Sequence, residues 1–163
     1  MDRVDDIIAQ WKRERPDLNV RPMELIGRLR RISQHLSREM DKTFAQHGLT
    51  GASFDVLATL RRSGPPYSLS PGDLLATMMI TSGTMTHRID QLEKAGLVER
   101  AHNPADGRGV IIALTRRGLA LIDTAVAAHV QTQARLTAAL SKQEYAALNA
   151  MLRKYLAVFE EHA

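Results

Sequence analysis

The sequence contains no cysteine among its 163 residues. Disulfides, iron–sulfur clusters, thiolate zinc sites and thiol redox sensors are therefore excluded. It also lacks any apolar run near the roughly 18 residues that a membrane span requires, and its charged start, MDRVDD, is unlike a signal peptide. These absences lead us to expect a soluble cytoplasmic protein with no membrane partner.

Sequence signals of catalysis or metal binding are missing as well. The six histidines, at positions 35, 47, 87, 102, 129 and 162, are scattered without H-E-x-x-H or another ligand spacing. No P-loop, nucleophile elbow or G-x-G-x-x-G is present. We therefore predict no catalytic residues, no metal site, no cofactor and no enzyme activity.

Lysine is scarce, because the chain has five lysines and 17 arginines. The net charge is only +4. A mildly basic chain permits a nucleic-acid partner without requiring one. Arginine suits phosphate and base-edge recognition because its planar group donates hydrogen bonds in pairs. A GC-rich genome that favours arginine codons would produce the same excess, so the positions of the arginines have to decide between the two explanations.

Apolar periodicity predicts a mainly helical chain. Ser70, followed by Pro71 and Asp73, is a strong helix start, and Ser141 with Glu144 forms a capping box. The run SGPPYSL is expected to be a break. Helices are predicted at residues 2–14, 22–47, 50–62, 70–78, 82–95, 115–139 and 141–162.

Two short apolar runs, LVERAHN and VIIALT, flank the turn PADGRG, as in a β-hairpin. Two helices followed by such a wing are the winged helix-turn-helix, in which the second helix enters the DNA major groove. Helix 70–78 would be the support helix and helix 82–95 the recognition helix, with a turn at Ile80–Ser82. The predicted base-reading side chains are Ser82, Thr84, Thr86, His87 and Gln91, with Arg88 on the same face.

At the wing tip, Arg108 is placed to enter the minor groove, and Asp106 to hold its side chain. The plainer alternative is a solvated helix face beside an ordinary surface turn.

Long amphipathic helices lie at both ends of the chain, and one winged helix cannot cover their apolar stripes. The helix after the wing places Leu119, Ile122, Val126 and Val130 on one side. Either the terminal stripes pack within one protomer, or they form a two-fold homodimer that presents two recognition helices to a palindromic site; we favour the dimer. The terminal residues that need a partner are Ile7, Trp11, Leu148, Leu152, Tyr155 and Phe159.

The segment ITSGTMTHRIDQLEKAGLVERAHNPADGRGVIIALTRRG resembles the recognition helix and wing of the MarR family of bacterial transcription regulators, including the D-x-R motif at Asp106 and Arg108. The resemblance covers essentially the whole chain. It implies one MarR-type domain over residues 1–163, mainly α with a small β-wing: N-terminal dimerisation and ligand helices at 1–47, a winged helix-turn-helix at 50–115, and C-terminal dimerisation helices at 116–163. It also implies a homodimeric, nucleoid-associated repressor that binds double-stranded DNA. Its affinity for DNA would fall when a small ligand binds.

The N-terminal extension IIAQWKRERPDLNVRPMELIGRL, followed by FDVLATLRRSGPPY, resembles the PecS-type, urate-responsive subgroup of the family. That subgroup builds its ligand site from one Trp, one Asp and two Arg, which match Trp11, Asp55, Arg88 and Arg100. Urate is a planar anion, so paired guanidinium donors and an indole face suit it. Asp55 would hold Arg88 or Arg100 in the free protein, and an incoming anion would compete with it.

Other interpretations of these residues stay open. Trp11 would be a plain hydrophobic anchor, Arg88 and Arg100 would contact phosphate, and Asp55 would pair with Arg61 or Arg62. The protein would then be a ligand-independent DNA-binding or architectural protein, or a MarR-type regulator of a different phenolic ligand.

Overall fold

The computed structural model describes residues 1–78, 82–103 and 109–160. The described chain is mainly helical, with one small antiparallel sheet whose strands lie between residues 68 and 114, so the predicted fold class is confirmed. The elements in these residues are α1 (Arg3–Glu14), α2 (Arg21–Gln46), α3 (Gly51–Arg62), β1 (Ser68–Leu69), α4 (Pro71–Met78), α5 (Ser82–Lys94), β2 (Val98–His102), β3 (Val110–Leu114), α6 (Arg116–Thr137) and α7 (Lys142–Glu160).

The chain divides into two compact units, Met1–Lys42 and Thr43–Ala163. In the first unit, Val4 and Ile8 of α1 pack with Val20 in a small buried cluster. Asp2 caps α1 by accepting hydrogen bonds from the backbone N–H groups of Val4 and Asp5. A small core and a capped helix thus define this unit.

The second unit contains the main core. The side chains of Leu57, Leu60, Leu74, Ile112 and Ile122 are completely buried, and they come from α3, α4, β3 and α6. The residues predicted to form the inner face of α5 are also buried; they are Met85, Ile89 and Leu92. The side chains of this core therefore hold both α5 and the sheet in place.

The helix starts predicted from the sequence are confirmed by their caps. The Ser70 hydroxyl accepts from the backbone N–H of Asp73 at 3.1 Å and donates to the Asp73 carboxylate at 2.6 Å. Ser141 and Glu144 form the reciprocal bonds of a capping box. Thr50 caps α3 by accepting a hydrogen bond from the backbone N–H of Ser53 at 3.1 Å.

The sheet has three strands in the order β1-β3-β2, which corrects the predicted break at SGPPYSL and the two-stranded wing. Tyr67 adopts a left-handed conformation (φ 60°) after Gly64 (φ 80°), and its N–H donates to the Gly64 carbonyl at 2.7 Å. This reversal brings Ser68–Leu69 alongside β3. A strand of two residues is too short to show an alternating pattern, so the sequence carried no signal for it.

The buried face of α6 also differs from the apolar stripe in the sequence. Ile122 is buried, but Val130 is 55% exposed. The buried positions include Gly118, Ala125 and Thr132. Because these residues are small or polar, the pattern of large apolar residues in the sequence does not reveal that they are buried. A Cβ built on Gly118 would overlap the backbone carbonyl oxygen of Leu97, so α6 begins in close contact with the backbone that enters β2.

Within the described ranges, no helix combines the length and apolar character that crossing a membrane would take.

Candidate functional site

The outer face of α5 carries polar side chains over a buried apolar face. Thr84, Thr86, His87 and Gln91 are exposed, and Arg88 is partly exposed. Ser82 begins the helix, but its side chain lies outside the described residues. The side chains predicted to read DNA therefore share the solvent face of one anchored helix.

The wing is formed by β2 and β3, in the register Val98↔Leu114 to His102↔Val110. Beyond the strands, the Asn103 N–H donates to the Gly109 carbonyl at 2.8 Å. Asp106 and Arg108, predicted at the wing tip, lie outside the described residues, as do Ile80 and Thr81 of the predicted turn.

Arg100 links the wing to α5. Its guanidinium donates to the Asp90 carboxylate at 2.5 Å and to the Glu93 carboxylate, and its backbone N–H also donates to Glu93, at 3.2 Å. The hydrogen bond to Asp90 is the main cause that raises the pKa of Arg100. Arg100 is one of the two predicted partners of Asp55, and it is paired with Asp90 and Glu93 of α5.

Arg100 also lines a pocket of about 340 Å³ between the wing and α5. Thr86 also lines this pocket, while Leu75, Val110 and Ile112 supply apolar surface. Asp55 is not part of its lining, so Arg100 and Asp55 face different cavities.

Asp55 interacts electrostatically with Arg88. Burial raises the pKa of the Asp55 carboxyl, and the positive charges of Arg88, Arg62 and a protonated His129 oppose that rise. Asp55 lines a pocket of about 220 Å³ together with Thr59, Arg62, Thr77 and Met78. The positions 55, 59 and 62 are spaced as one helix face, which is the signal that would have placed Thr59 and Arg62 beside Asp55.

The alternative partner Arg61 is engaged elsewhere. Its guanidinium donates to Asp123 of α6 at 2.6 Å and lies 4.9 Å from the centre of the Tyr67 ring. Arg62 is consequently the arginine of that pair whose charge acts on Asp55.

Trp11, the remaining predicted ligand residue, belongs to α1 in the first unit and is 41% exposed. Asp55, Arg88 and Arg100 belong to the second unit.

An aromatic cluster next to Asp55 was not predicted. The rings of Phe44 and Phe54 stack at 4.3 Å, and the His129 imidazole lies 5.1 and 4.9 Å from them. The Nδ1 atom of His129 is buried and has no hydrogen-bond partner among the described residues. Burial lowers the pKa of His129, and the Asp55 charge opposes this shift.

Known proteins with similar sequences place these features in a family. A sequence model of the MarR family matches residues 47–109. The HTH-type transcriptional regulator PecS of Dickeya dadantii is 44% identical over 149 residues, which cover 91% of this chain and 90% of that protein. This chain belongs to the MarR family.

Solved structures of MarR-family proteins have the same fold. A variant of MarR from E. coli in complex with operator DNA is 28% identical and has a TM-score of 0.71, over 90% of this chain and 97% of that one. BpsR of Bordetella bronchiseptica, whose DNA binding is regulated by 6-hydroxynicotinic acid, is 31% identical with a TM-score of 0.67, over 78% and 89%. Members of the MarR family are transcription regulators and not enzymes.

Proposed function

We propose that the protein is a homodimeric MarR-family repressor that binds a palindromic operator and releases it when a small anionic aromatic ligand, such as urate, binds. The observation that carries this proposal is the polar outer face of α5, which is backed by buried Met85, Ile89 and Leu92. A helix that is anchored by buried side chains and carries hydrogen-bonding side chains on its outer face, beside a wing, suits major-groove readout. A similar MarR protein was solved in complex with operator DNA, which supports DNA binding by this protein.

The apolar surface of the terminal helices supports the dimer. No residue in the described helix α7 is buried in the single chain. The six side chains predicted to need a partner are 38–58% exposed; they are Ile7, Trp11, Leu148, Leu152, Tyr155 and Phe159. A surface of this kind marks an interface, because isolated soluble proteins rarely expose large apolar patches.

An anionic ligand is supported by the charges around Asp55. The carboxylate is partly desolvated and interacts with Arg88 on α5. A second anion near Arg88 would compete for the same guanidinium and repel Asp55. Displacement of Arg88 would move a DNA-reading helix, and a dimer that reads two half-sites is sensitive to their spacing. Regulation of the similar protein BpsR by 6-hydroxynicotinic acid supports a ligand of this chemical class.

The DNA-binding role is tested by fluorescence anisotropy with the palindrome upstream of the protein's own gene, at fixed salt. We expect Arg108→Ala to weaken operator binding by about 1–3 kcal/mol if its side chain makes a specific minor-groove contact. Unchanged affinity and unchanged preference over scrambled DNA would contradict the wing assignment.

The ligand response is tested by adding urate to the protein–operator complex, with uncharged hypoxanthine as the ligand control. Urate should lower operator affinity, and hypoxanthine should do so much less. Trp11→Phe and Arg100→Ala should reduce the urate response while leaving operator binding largely intact.

Asp55→Asn separates ligand binding from release, because it keeps the shape of the side chain and removes the repulsion. This variant should still bind urate but release DNA less, whereas the matched control Asp41→Asn, an exposed acid on α2, should behave as wild type. If millimolar urate leaves operator affinity unchanged in the wild-type protein, urate is not the effector, and DNA binding independent of urate replaces this part of the proposal.

A further inference from the structure

Arg100 supplies the charge in the pocket between the wing and α5. The other described residues that line this pocket are uncharged, and Leu75, Ile89 and Ile112 among them are apolar. An anion that enters the pocket therefore depends on the Arg100 guanidinium for charge-assisted hydrogen bonds. What surrounds that guanidinium consequently sets how strongly the pocket attracts an anion.

Two carboxylates already engage this guanidinium. Asp90 and Glu93 lie three residues apart on the same side of α5, and the Arg100 side chain donates hydrogen bonds to both. One positive charge thus faces two negative charges, and the three side chains together carry a net negative charge. An anion that approaches Arg100 is repelled by the pair of acids as much as it is attracted by the arginine.

The Glu93 carboxylate is held in place independently of the guanidinium. It also accepts a hydrogen bond from the backbone N–H of Arg100, at 3.2 Å. If the Arg100 side chain turned towards a ligand, this backbone bond would keep the Glu93 charge next to it. The side chains of Arg100, Asp90 and Glu93 are only 34–44% exposed, so solvent screens their charges incompletely.

We propose that Asp90 and Glu93 set the affinity of the ligand site, because they compete with an anionic ligand for Arg100 and raise the ligand concentration at which the site fills. This inference rests on the proposed ligand response and assigns its threshold to two named acids. The protein would then keep its operator at a low concentration of the anion and release it only when the anion accumulates.

A brace between β2 and α5 is the competing interpretation of the same ion pairs. If the acids only brace the wing, neutral replacements loosen it, and the affinity of Arg100 for an anion stays the same or falls. If the acids compete with the anion, the same replacements raise that affinity. The sign of the change in anion affinity therefore separates the two interpretations.

The test is equilibrium dialysis of urate with the full-length protein in the absence of DNA. Asp90→Asn/Glu93→Gln should bind urate at least about fivefold more tightly than wild type, since two partly exposed ion pairs together oppose the anion by about that factor. In a protein that also carries Arg100→Ala, the same two replacements should change urate affinity by less than about twofold. The gain for uncharged hypoxanthine should be much smaller than the gain for urate.

The matched control is Glu99→Gln/Asp41→Asn, which removes the same charge at two exposed acids that have no ion pair in the described ranges. It should keep urate affinity within about twofold of wild type. The single variant Asp90→Asn leaves the bond between Glu93 and the backbone in place, and it should show part of the gain.

The possible outcomes separate this inference from the proposed function. If wild type binds urate and Asp90→Asn/Glu93→Gln binds it no more tightly, the competition is overturned and the urate response stands. An equal gain in the control variant, for hypoxanthine, or without Arg100 would also overturn the competition. Urate binding by the neutralised variant alone would support it, because the acids then mask Arg100 in the wild type. Binding by neither protein would overturn both the competition and the assignment of urate.

Discussion

His129 places a titratable ring between two phenylalanines. It packs against Phe44 and Phe54, and its buried Nδ1 has no hydrogen-bond partner in the described ranges. Burial penalises the charged imidazolium and lowers the pKa of His129 below its usual value, and Asp55 offsets only part of that effect. The neutral ring is therefore the form that the folded protein favours.

A lowered pKa makes stability depend on pH in a definite direction. The contribution of neutral His129 is complete above the unfolded value of about 6.5 and is lost as pH falls through the folded pKa. We predict that His129→Phe, which keeps an aromatic ring in the cluster, loses less unfolding free energy than wild type between about pH 8 and about pH 5. Urea denaturation followed by circular dichroism measures both curves, and parallel curves would contradict the prediction.

The individual site residues were only partly predictable from the sequence. The resemblance, and not spacing or composition, suggested Arg88 or Arg100 as the partner of Asp55, and the charge of Arg88 acts on that carboxyl group. The partners of Arg100 were not predicted. Asp90 and Glu93 stand three residues apart on α5, but only the position of β2 beside that helix brings Arg100 to both.

Among the elements, the start of α6 depends on one close contact. Leu97 accepts hydrogen bonds from the backbone N–H of Thr115 at 3.2 Å and from its hydroxyl at 3.3 Å, and the same carbonyl lies against Gly118. We predict that Gly118→Ala lowers the free energy of unfolding by about 2–3 kcal/mol, because the methyl group forces this backbone contact apart.

Gly72→Ala is the matched control for that change. It lies in the exposed first turn of α4, and its added Cβ would meet only the Ser70 hydroxyl at 3.8 Å. Stability should stay the same or rise by about 0.4–1 kcal/mol, because alanine restricts the unfolded chain. Equal losses in the two variants, measured by urea denaturation, would show that the contact at Leu97 has no special cost.

Element boundaries were predictable where side chains mark them. Ser70 and Ser141 cap their helices as expected from residue type and spacing. β1 was not predictable, because two residues carry no period and its pairing requires the reversal at Tyr67. The inner face of α6 was hidden for a related reason: glycine, alanine and threonine are buried there by close packing instead of by hydrophobicity.

For the whole molecule, the exposed face of α7 predicts the oligomeric state. Leu148, Leu152 and Tyr155 share one side of the helix and are 38–43% exposed. We predict that Leu152→Glu converts a dimer to a monomer in size-exclusion chromatography with light scattering, because a charge cannot be buried unpaired in an apolar interface. Operator affinity should fall with it, because two linked recognition helices are needed for a palindrome.

The control for that prediction is Ala150→Glu, which adds the same charge on the opposite side of α7. It should remain dimeric and bind the operator normally. If the Leu152→Glu protein stays dimeric, the side of α7 that carries Leu152 is not part of the dimer interface.

The general architecture was the most predictable level. Helical periodicity, the hairpin pattern and the order of elements all agree with the winged helix that the structure contains. The division at Lys42 and Thr43 was not visible, because it falls inside the continuous helix α2, where no proline, glycine or change of composition marks it.

The contact between Gly118 and Leu97 also has a genetic consequence. Every missense change of a glycine codon adds a side chain, so each amino-acid replacement at this position introduces a group for which the fold has no space. In a selection for colonies in which a target promoter has escaped control, this codon should be hit repeatedly, although Gly118 belongs to α6 and not to the recognition helix or the wing. Temperature-sensitive alleles should be common among the alanine replacements, because a partly destabilised protein still folds in the cold.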